Sequence, residues 1–168
     1  MPVISDFGIT ASVLQTKAQD LTVTSDPLAK VWAAHLESGA GAGLADRVFH
    51  DTRTLAASAS EDLDLAAALT DVFGATMTFA RVKGLFITAS AANTNNVVVG
   101  AGTNPWITAL NATGTITLRP GAAVALFTGA ADPTGYAVTA ATGDILKVTN
   151  SAGSTSVSYD VVVVGCSA

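Results

Sequence analysis

The clearest pattern in the chain is an alternation of apolar and polar positions that begins at Ala75. Short runs then recur roughly every 8–12 residues with Gly, Asn or Pro between them, as in β-sandwiches and barrels. Turn signals such as Arg119-Pro120-Gly121 and Asp132-Pro133-Thr134-Gly135 end two of these runs. The predicted strands are Ala75–Thr88, Val97–Val99, Thr115–Leu118, Val124–Thr128, Tyr136–Thr139, Ile145–Thr149 and Ser156–Val164.

Two segments near the C-terminus give more specific predictions. Val161–Val164 is continuously apolar, which predicts a central strand with both faces covered. Asn150–Ser154 is rich in turn-forming residues, so it is predicted to be a hairpin loop between the last two strands. The predicted fold is an all-β sandwich, jelly-roll-like, although another Greek-key sandwich stays open.

The N-terminal part of the chain has weaker signals. Residues 1–21 are predicted to form an extended arm that could lie on a neighbouring subunit, and residues 22–168 a single β-sandwich domain. Leu28–Glu37 alternates like a strand, but Ser25-Asp26-Pro27 before it could also cap a short helix. The strand is favoured.

Two more segments complete this part of the prediction. Arg47–Thr54 predicts a strand with a polar face, and Asp64–Thr70 could form one helical turn.

Composition adds a hint of assembly. Hydrophobic residues make up 49% of the 168 positions and charged residues only 12%, about half the usual share. Such an apolar chain is expected to place some of its surface against other subunits. The net charge of −5, with no basic cluster, argues against direct nucleic-acid binding.

Hydrophobic segments give no sign of a membrane span or of a signal peptide. No apolar run approaches the roughly 18 residues of a membrane helix, and the first residues lack a basic region followed by an apolar one. The protein is therefore expected to be made in the cytoplasm and not to bind a membrane.

Catalytic and metal-binding patterns are weak. Cys166 could be a nucleophile partnered by His35 or His50, but a buried or incidental thiol is favoured. The two histidines could bind a metal with Asp46 or Asp51, yet the H-x-H spacing of metal-binding cupins does not occur. We therefore expect no enzyme and assign no catalytic, cofactor-binding or metal-binding residue.

Three polar or glycine-rich patterns also have structural interpretations. Two acidic clusters could suggest acid–base chemistry, but aromatic residues, 6% of the chain, are too few for a sugar cleft, and the first cluster is expected to be a solvated loop or to cap the following turn. The glycines lack the G-x-G-x-x-G spacing of a dinucleotide site and favour a flexible connector. These patterns are Glu61-Asp62 with Asp64, Asp144 beside Lys147, and Gly39, Gly41 and Gly43.

Three aromatic residues could have surface roles. Trp32, Trp106 and Tyr136 could stack on sugar rings if exposed, or anchor the core or an interface if buried. Asn104-Pro105-Trp106 resembles a loop, so Trp106 is the best candidate for a surface role, and an interface is favoured over a ligand.

Four segments together resemble small structural proteins encoded beside the capsid genes of tailed bacteriophages. These segments cover most of residues 41–165, and the set P-G-x-x-V, G-Y-A-V-T and D-x-L-K-V-T-N is more specific than any one of its members. The segments are Gly41–Leu65, Leu69–Ile87, Arg119–Thr128 and Gly135–Gly165.

Several proteins of that kind are capsid decoration (cement) proteins, compact sandwich or jelly-roll domains that clamp the head lattice as trimers. The resemblance implies a virion structural protein on the outer capsid surface that binds the major capsid protein lattice as a homo-oligomer, with a trimer favoured. The alternative is a receptor- or glycan-binding module of a tail fibre or head fibre. A cupin-like metalloenzyme on the same type of sandwich is the third and least favoured possibility.

Overall fold

The computed structural model describes residues 2–67 and 69–168, and in these residues the chain forms fourteen β-strands and no helix. None of this part of the chain could cross a bilayer as a helix. The strands are β1 Ser5–Ala18, β2 Val23–Ser38, β3 Leu44–Ala45, β4 Arg47–Leu55, β5 Ser60–Asp64, β6 Leu69–Thr70, β7 Thr76–Met77, β8 Arg81–Ala89, β9 Val97–Gly100, β10 Thr115–Leu118, β11 Ala123–Phe127, β12 Tyr136–Ala137, β13 Ile145–Asn150 and β14 Val157–Cys166.

Two antiparallel sheets form the body of the molecule. One has the strand order β11-β8-β14-β4, with β12 also paired to β8, and the other has the order β10-β9-β13-β5. Their inward side chains, among them Leu85 and Val161 from the first sheet and Val99 and Val148 from the second, belong to one apolar core. The predicted all-β, sandwich-like architecture is therefore present.

Alternation along β14 shows why this segment is a central strand. Val161 and Val163 are fully buried in the core between the sheets. Val162 and Val164 point the other way and pack with Phe7 of β1. Because β14 also lies between β8 and β4, the prediction that Val161–Val164 is central with both faces covered is confirmed.

A β-bulge interrupts the alternation of β8. Val164 pairs with Gly84 and Gly165 pairs with Val82, so Lys83 is left without a partner in the register. The extra residue changes the phase of the strand, and Val82 and Leu85 both reach the core. Lys83 is fully buried, and its Nζ donates a hydrogen bond of 2.6 Å to the backbone oxygen of Asp132.

The predicted hairpin loop at Asn150–Ser154 is wrong. Strands β13 and β14 belong to different sheets, so this segment carries the chain across the sandwich. Asn150 and Asn95, both buried, hold the crossing in place: Asn95 Nδ2 donates to Asn150 Oδ1 at 3.0 Å, and both carboxamides donate to the backbone oxygen of Thr155.

The first two strands form a long hairpin, Ser5–Ser38, that extends from the sandwich. Their register runs from Ser5 opposite Leu36 to Ala18 opposite Val23, and the turn lies at residues 19–22. The strand favoured over Leu28–Glu37 is confirmed, and the short helix is wrong. The expected domain boundary between residues 21 and 22 falls in the turn of this hairpin.

The possible helical turn over Asp64–Thr70 includes Ala68, which lies outside the described residues. The described positions around it are the end of β5, a turn and β6. Asp64 Oδ1 accepts hydrogen bonds from the backbone N–H groups of Ala66 and Ala67, so the aspartate caps this turn.

Candidate functional site

The base of the hairpin is anchored on the outer face of the sandwich. Phe7, Ala34 and Leu36 are buried against Val164 and the neighbouring side chains of the same sheet. The Phe7 ring lies 5.3 Å from the Phe86 ring and 5.8 Å from the Phe127 ring, centroid to centroid. It fills the space above Gly84, where an added Cβ would come within 2.7 Å of the ring.

Beyond this base, no described part of the chain covers the hairpin. Among the described residues, twelve large hydrophobic side chains are exposed, and nine of them lie between residues 4 and 32. A monomeric protein rarely exposes so much contiguous apolar surface unless the surface binds a partner. These nine side chains are those of Ile4, Ile9, Val13, Leu14, Leu21, Val23, Leu28, Val31 and Trp32.

Pairing assigns these residues to two faces, because directly opposite residues of an antiparallel pair lie on the same face. The face that carries Phe7 continues outward through Ile9 opposite Trp32, then Ala11 opposite Lys30, and then Val13 opposite Leu28. We call the apolar residues of these pairs, Ile9, Ala11, Val13, Leu28 and Trp32, the apolar stripe, and the charged Lys30 lies among them. The opposite face carries Leu14 and Val31, but Ser12, Thr10, Thr16 and Ser25 separate its apolar residues.

An ionic cluster marks the base of the hairpin on its second face. His35 Nδ1 lies 2.7 Å from Asp6 Oδ1, and His35 Nε2 lies 3.0 Å from Glu37 Oε1. These hydrogen bonds, first that to Asp6 and then that to Glu37, raise the pKa of His35 above its ordinary value. His35 is therefore part of the hairpin base. Its hydrogen-bond partners are these two carboxylates and not Cys166.

Cys166 lies elsewhere and is fully buried. Its Sγ is 3.3 Å from the backbone oxygen of Leu44 and 3.9 Å from that of Gly39, in the bend that follows β2. Gly39, Gly41 and Gly43 all have positive φ values in this bend, a conformation that favours glycine.

The residues that could have shared a metal are engaged separately. Asp46 accepts a hydrogen bond from the backbone N–H of Ser167 at 2.8 Å. Asp51 Oδ2 lies 3.1 Å from Arg53 Nε, and His35 is on the hairpin while His50 is on β4. In residues 2–67 and 69–168 no group of three potential metal ligands converges.

The acidic residues of the sequence analysis have structural partners. Glu61 Oε1 accepts a 2.6 Å hydrogen bond from the Tyr159 hydroxyl. Burial, together with this bond to a carboxylate, raises the pKa of Tyr159 far above its ordinary value. Asp144 is buried, and its Oδ2 accepts from the backbone N–H of Ala141, which has a φ of 66°.

Trp106 is not a surface residue, so its expected surface role is wrong. Only 4% of it is exposed, and its Nε1 donates a 2.9 Å hydrogen bond to the backbone oxygen of Ala137. It packs edge-on against the half-buried Tyr136. The tryptophan that does reach the surface is Trp32, 50% exposed on the apolar stripe.

A second exposed surface was not found from the sequence. Val72 and Phe73 are 65% and 70% exposed in the turn between β6 and β7. Asp71 Oδ1 fixes this turn by accepting hydrogen bonds from the backbone N–H groups of Phe73 and Ala75. The turn borders a groove of about 290 Å³ that Arg47 and His50, among others, also line. Asp71 was the available signal, since aspartate at a turn often bonds the backbone two residues on.

No protein-family model, curated protein or solved structure matched this chain. The sandwich, the hairpin and the turn that carries Phe73 are therefore the features from which a function can be inferred.

Proposed function

We propose that the protein is a virion structural protein, a capsid decoration protein that binds and stabilises a phage head lattice as an oligomer. The observation that carries this proposal is the uncovered hairpin Ser5–Ser38, which extends an apolar surface away from the sandwich. The hairpin would be the part of the protein that contacts the lattice. A protein with this role needs no catalytic group, and the polar residues described above are engaged in holding turns and strands.

Strand order supports a jelly roll as the finer description of the fold. Eight strands remain when the hairpin and the strands of two residues are set aside. We number these eight strands 1 to 8 in chain order. Across the first sheet, from β4 to β11, the order is then 1-8-3-6. Across the second sheet, from β5 to β10, the order is 2-7-4-5. This is the order of a double-sheet jelly roll, an architecture common in viral capsid and lectin domains.

The jelly roll alone does not imply a function, since lectins and cupins share it. The hairpin supports the structural role, because a lattice-binding protein gains contact area from an extension without enlarging its core. Many modest contacts, repeated over a lattice, also multiply through avidity. A trimer on the outer capsid surface is the form that the resemblance implies.

The test is binding to assembled heads. Purified protein is incubated with expanded heads that lack it, and with unassembled major capsid protein, from the phage that carries its coding sequence. We expect saturable binding to heads, seen by electron microscopy and sedimentation, and no binding to loose subunits. Equal affinity for loose subunits, or no binding to heads, would contradict the proposal.

The exposed Phe73 favours a second candidate, a receptor- or glycan-binding module of a tail fibre or head fibre. An exposed aromatic ring beside a groove with charged groups is a platform on which a sugar can stack. A glycan array is the test, with Phe73→Ala as the variant and Ile107→Ala, which removes an exposed side chain that is not aromatic, as the control. A blank array at high protein concentration would remove this candidate.

A further inference from the structure

We infer that the apolar stripe packs on the same face of the hairpin of a second copy of this chain, with the two hairpins antiparallel and face to face. A two-fold axis would pass through the pair formed by Val13 and Leu28. These two residues would then meet their own counterparts, and Ile9 and Trp32 would lie over Lys17 and Thr24 of the other copy. This inference does not rest on the proposed function: it concerns the free protein in solution, where no lattice covers the stripe, and a two-fold pair is not the trimer that the resemblance implies.

The stripe needs a second layer. An isolated two-stranded hairpin is marginally stable in water, and its strands usually pack on a further layer. At the base this layer is the protein's own sandwich, but Phe7 and Leu36 already occupy that surface. Farther out, the described part of the chain supplies no layer above Ile9 and Trp32. An identical hairpin would supply one and would have its own stripe covered at the same time.

The exposed area is adequate for such a contact. Ile9, Val13, Leu28 and Trp32 are 40–57% exposed. With side-chain areas of the usual size they offer on the order of 400 Å² per copy, a patch of the size that marks an interaction site. The antiparallel arrangement also brings Leu21, fully exposed at the tip, towards the base of the partner hairpin. The area buried on the two copies together then reaches about 1,000 Å², the smallest area that is usual for a specific protein–protein interface.

Charge complementarity supports the antiparallel register. Asp26 and Lys30 lie on the same strand and the same face, one pair to either side of Leu28. The proposed two-fold axis therefore places Lys30 of each copy over the Asp26 of the other. Within one chain the two residues are about 13 Å apart along the strand, farther than salt allows exposed charges to interact strongly. Neither residue has an ion-pair partner within the described residues.

Two matched double variants test which face of the hairpin forms the contact between copies. Val13→Thr with Leu28→Thr removes two apolar side chains from the stripe, whereas Leu14→Thr with Val31→Thr removes the same two types from the opposite face. Threonine is compatible with strands, and all four positions are exposed, so the sandwich should keep its thermal stability in both. Light scattering and sedimentation equilibrium then give the mass and the dissociation constant Kd.

We expect the unmodified protein to associate beyond its 16.8 kDa chain mass. The stripe variant should raise Kd at least a hundredfold, and the control variant should change it less than threefold. A monomer at all concentrations overturns the inference. So does an assembly that both variants weaken equally, or that neither weakens.

A charge exchange tests the register. Lys30→Asp alone and Asp26→Lys alone each place like charges opposite one another across the proposed axis, so each should raise Kd about tenfold at low salt. The double variant restores opposite charges and should return Kd to within threefold of the original. If the double variant is as weak as either single variant, the antiparallel register is wrong.

Discussion

Replacement of Phe7 by alanine should release the base of the hairpin without unfolding the sandwich. Phe7 is 93% buried among Phe86, Phe127 and Val164, and it is the largest side chain that the hairpin places on the sandwich. Buried Phe→Ala substitutions cost about 3–5 kcal/mol. We take about 3 kcal/mol here, because the anchor lies on the outer face of the sandwich and not in the core between the sheets, so the vacated space can partly close.

The free energy lost in Phe7→Ala should appear as local opening of the hairpin base. The outer hairpin has few contacts with the sandwich, so its base can detach while the core between the two sheets stays packed. About 3 kcal/mol corresponds to a factor of about 100 in the opening equilibrium. Hydrogen exchange followed by mass spectrometry should therefore show backbone amides at the base of the hairpin, such as those that pair Ser5 with Leu36, exchanging about 100-fold faster.

Leu14→Ala is the matched control, since Leu14 is on the same strand but 66% exposed. It should leave exchange at the base unchanged. If Phe7→Ala instead lowers the unfolding temperature of the whole protein and speeds exchange in β8 and β14 equally, the hairpin and the sandwich are one cooperative unit. Unchanged exchange at the base would show that Phe7 is not the anchor.

Three other perturbations test features described above. Gly165→Ala should destabilise the protein by about 3 kcal/mol or more in urea unfolding, because the added Cβ would overlap a backbone oxygen of β8, whereas Gly129→Ala, with open space around it, should be within about 1 kcal/mol of the original. Asp6→Asn should lower the pKa of His35, measured by NMR, because the first of its two carboxylate partners is lost. In the unmodified protein, the contribution of this cluster to stability is full below the unfolded pKa of His, about 6.5, and is lost as pH rises through the folded pKa of His35. Tyr159 should stay protonated in the folded protein at pH values where an ordinary tyrosine ionises, because burial and the hydrogen bond to its carboxylate partner raise its pKa. An ultraviolet titration of a Tyr136→Phe variant that shows the remaining tyrosine ionising near pH 10 before unfolding would contradict this.

The strands of the sandwich could be predicted from the sequence because each has one face in the core. This burial appears in the sequence as an alternation of apolar and polar residues. Thr115–Leu118, for example, is a strand with the bounds predicted. The phase of β8 could not be predicted. The bulge at Lys83 depends on pairing with β14, about 80 residues farther along the chain, and no local pattern encodes it.

The candidate surface was only partly predictable. The loop-like surroundings of Trp106 suggested exposure, but the loop folds back so that the indole reaches the backbone oxygen of Ala137. Asn150–Ser154 has the composition of a hairpin loop, and only the tertiary arrangement decides that it crosses between sheets. Trp32 was recognised as a possible surface residue, but its place on the apolar stripe depends on the register of β1 with β2.

The position of β14 in the chain has a consequence for how the protein folds during synthesis. The hairpin leaves the ribosome before Val162 and Val164, which are part of the surface on which its base packs, have been made. About 126 residues separate Leu36 from Val162, so at cellular elongation rates the stripe and its anchor wait roughly ten seconds before that surface exists. During this interval the nascent hairpin is free to meet the hairpin of a chain on the neighbouring ribosome, and chaperone demand should fall on this segment first.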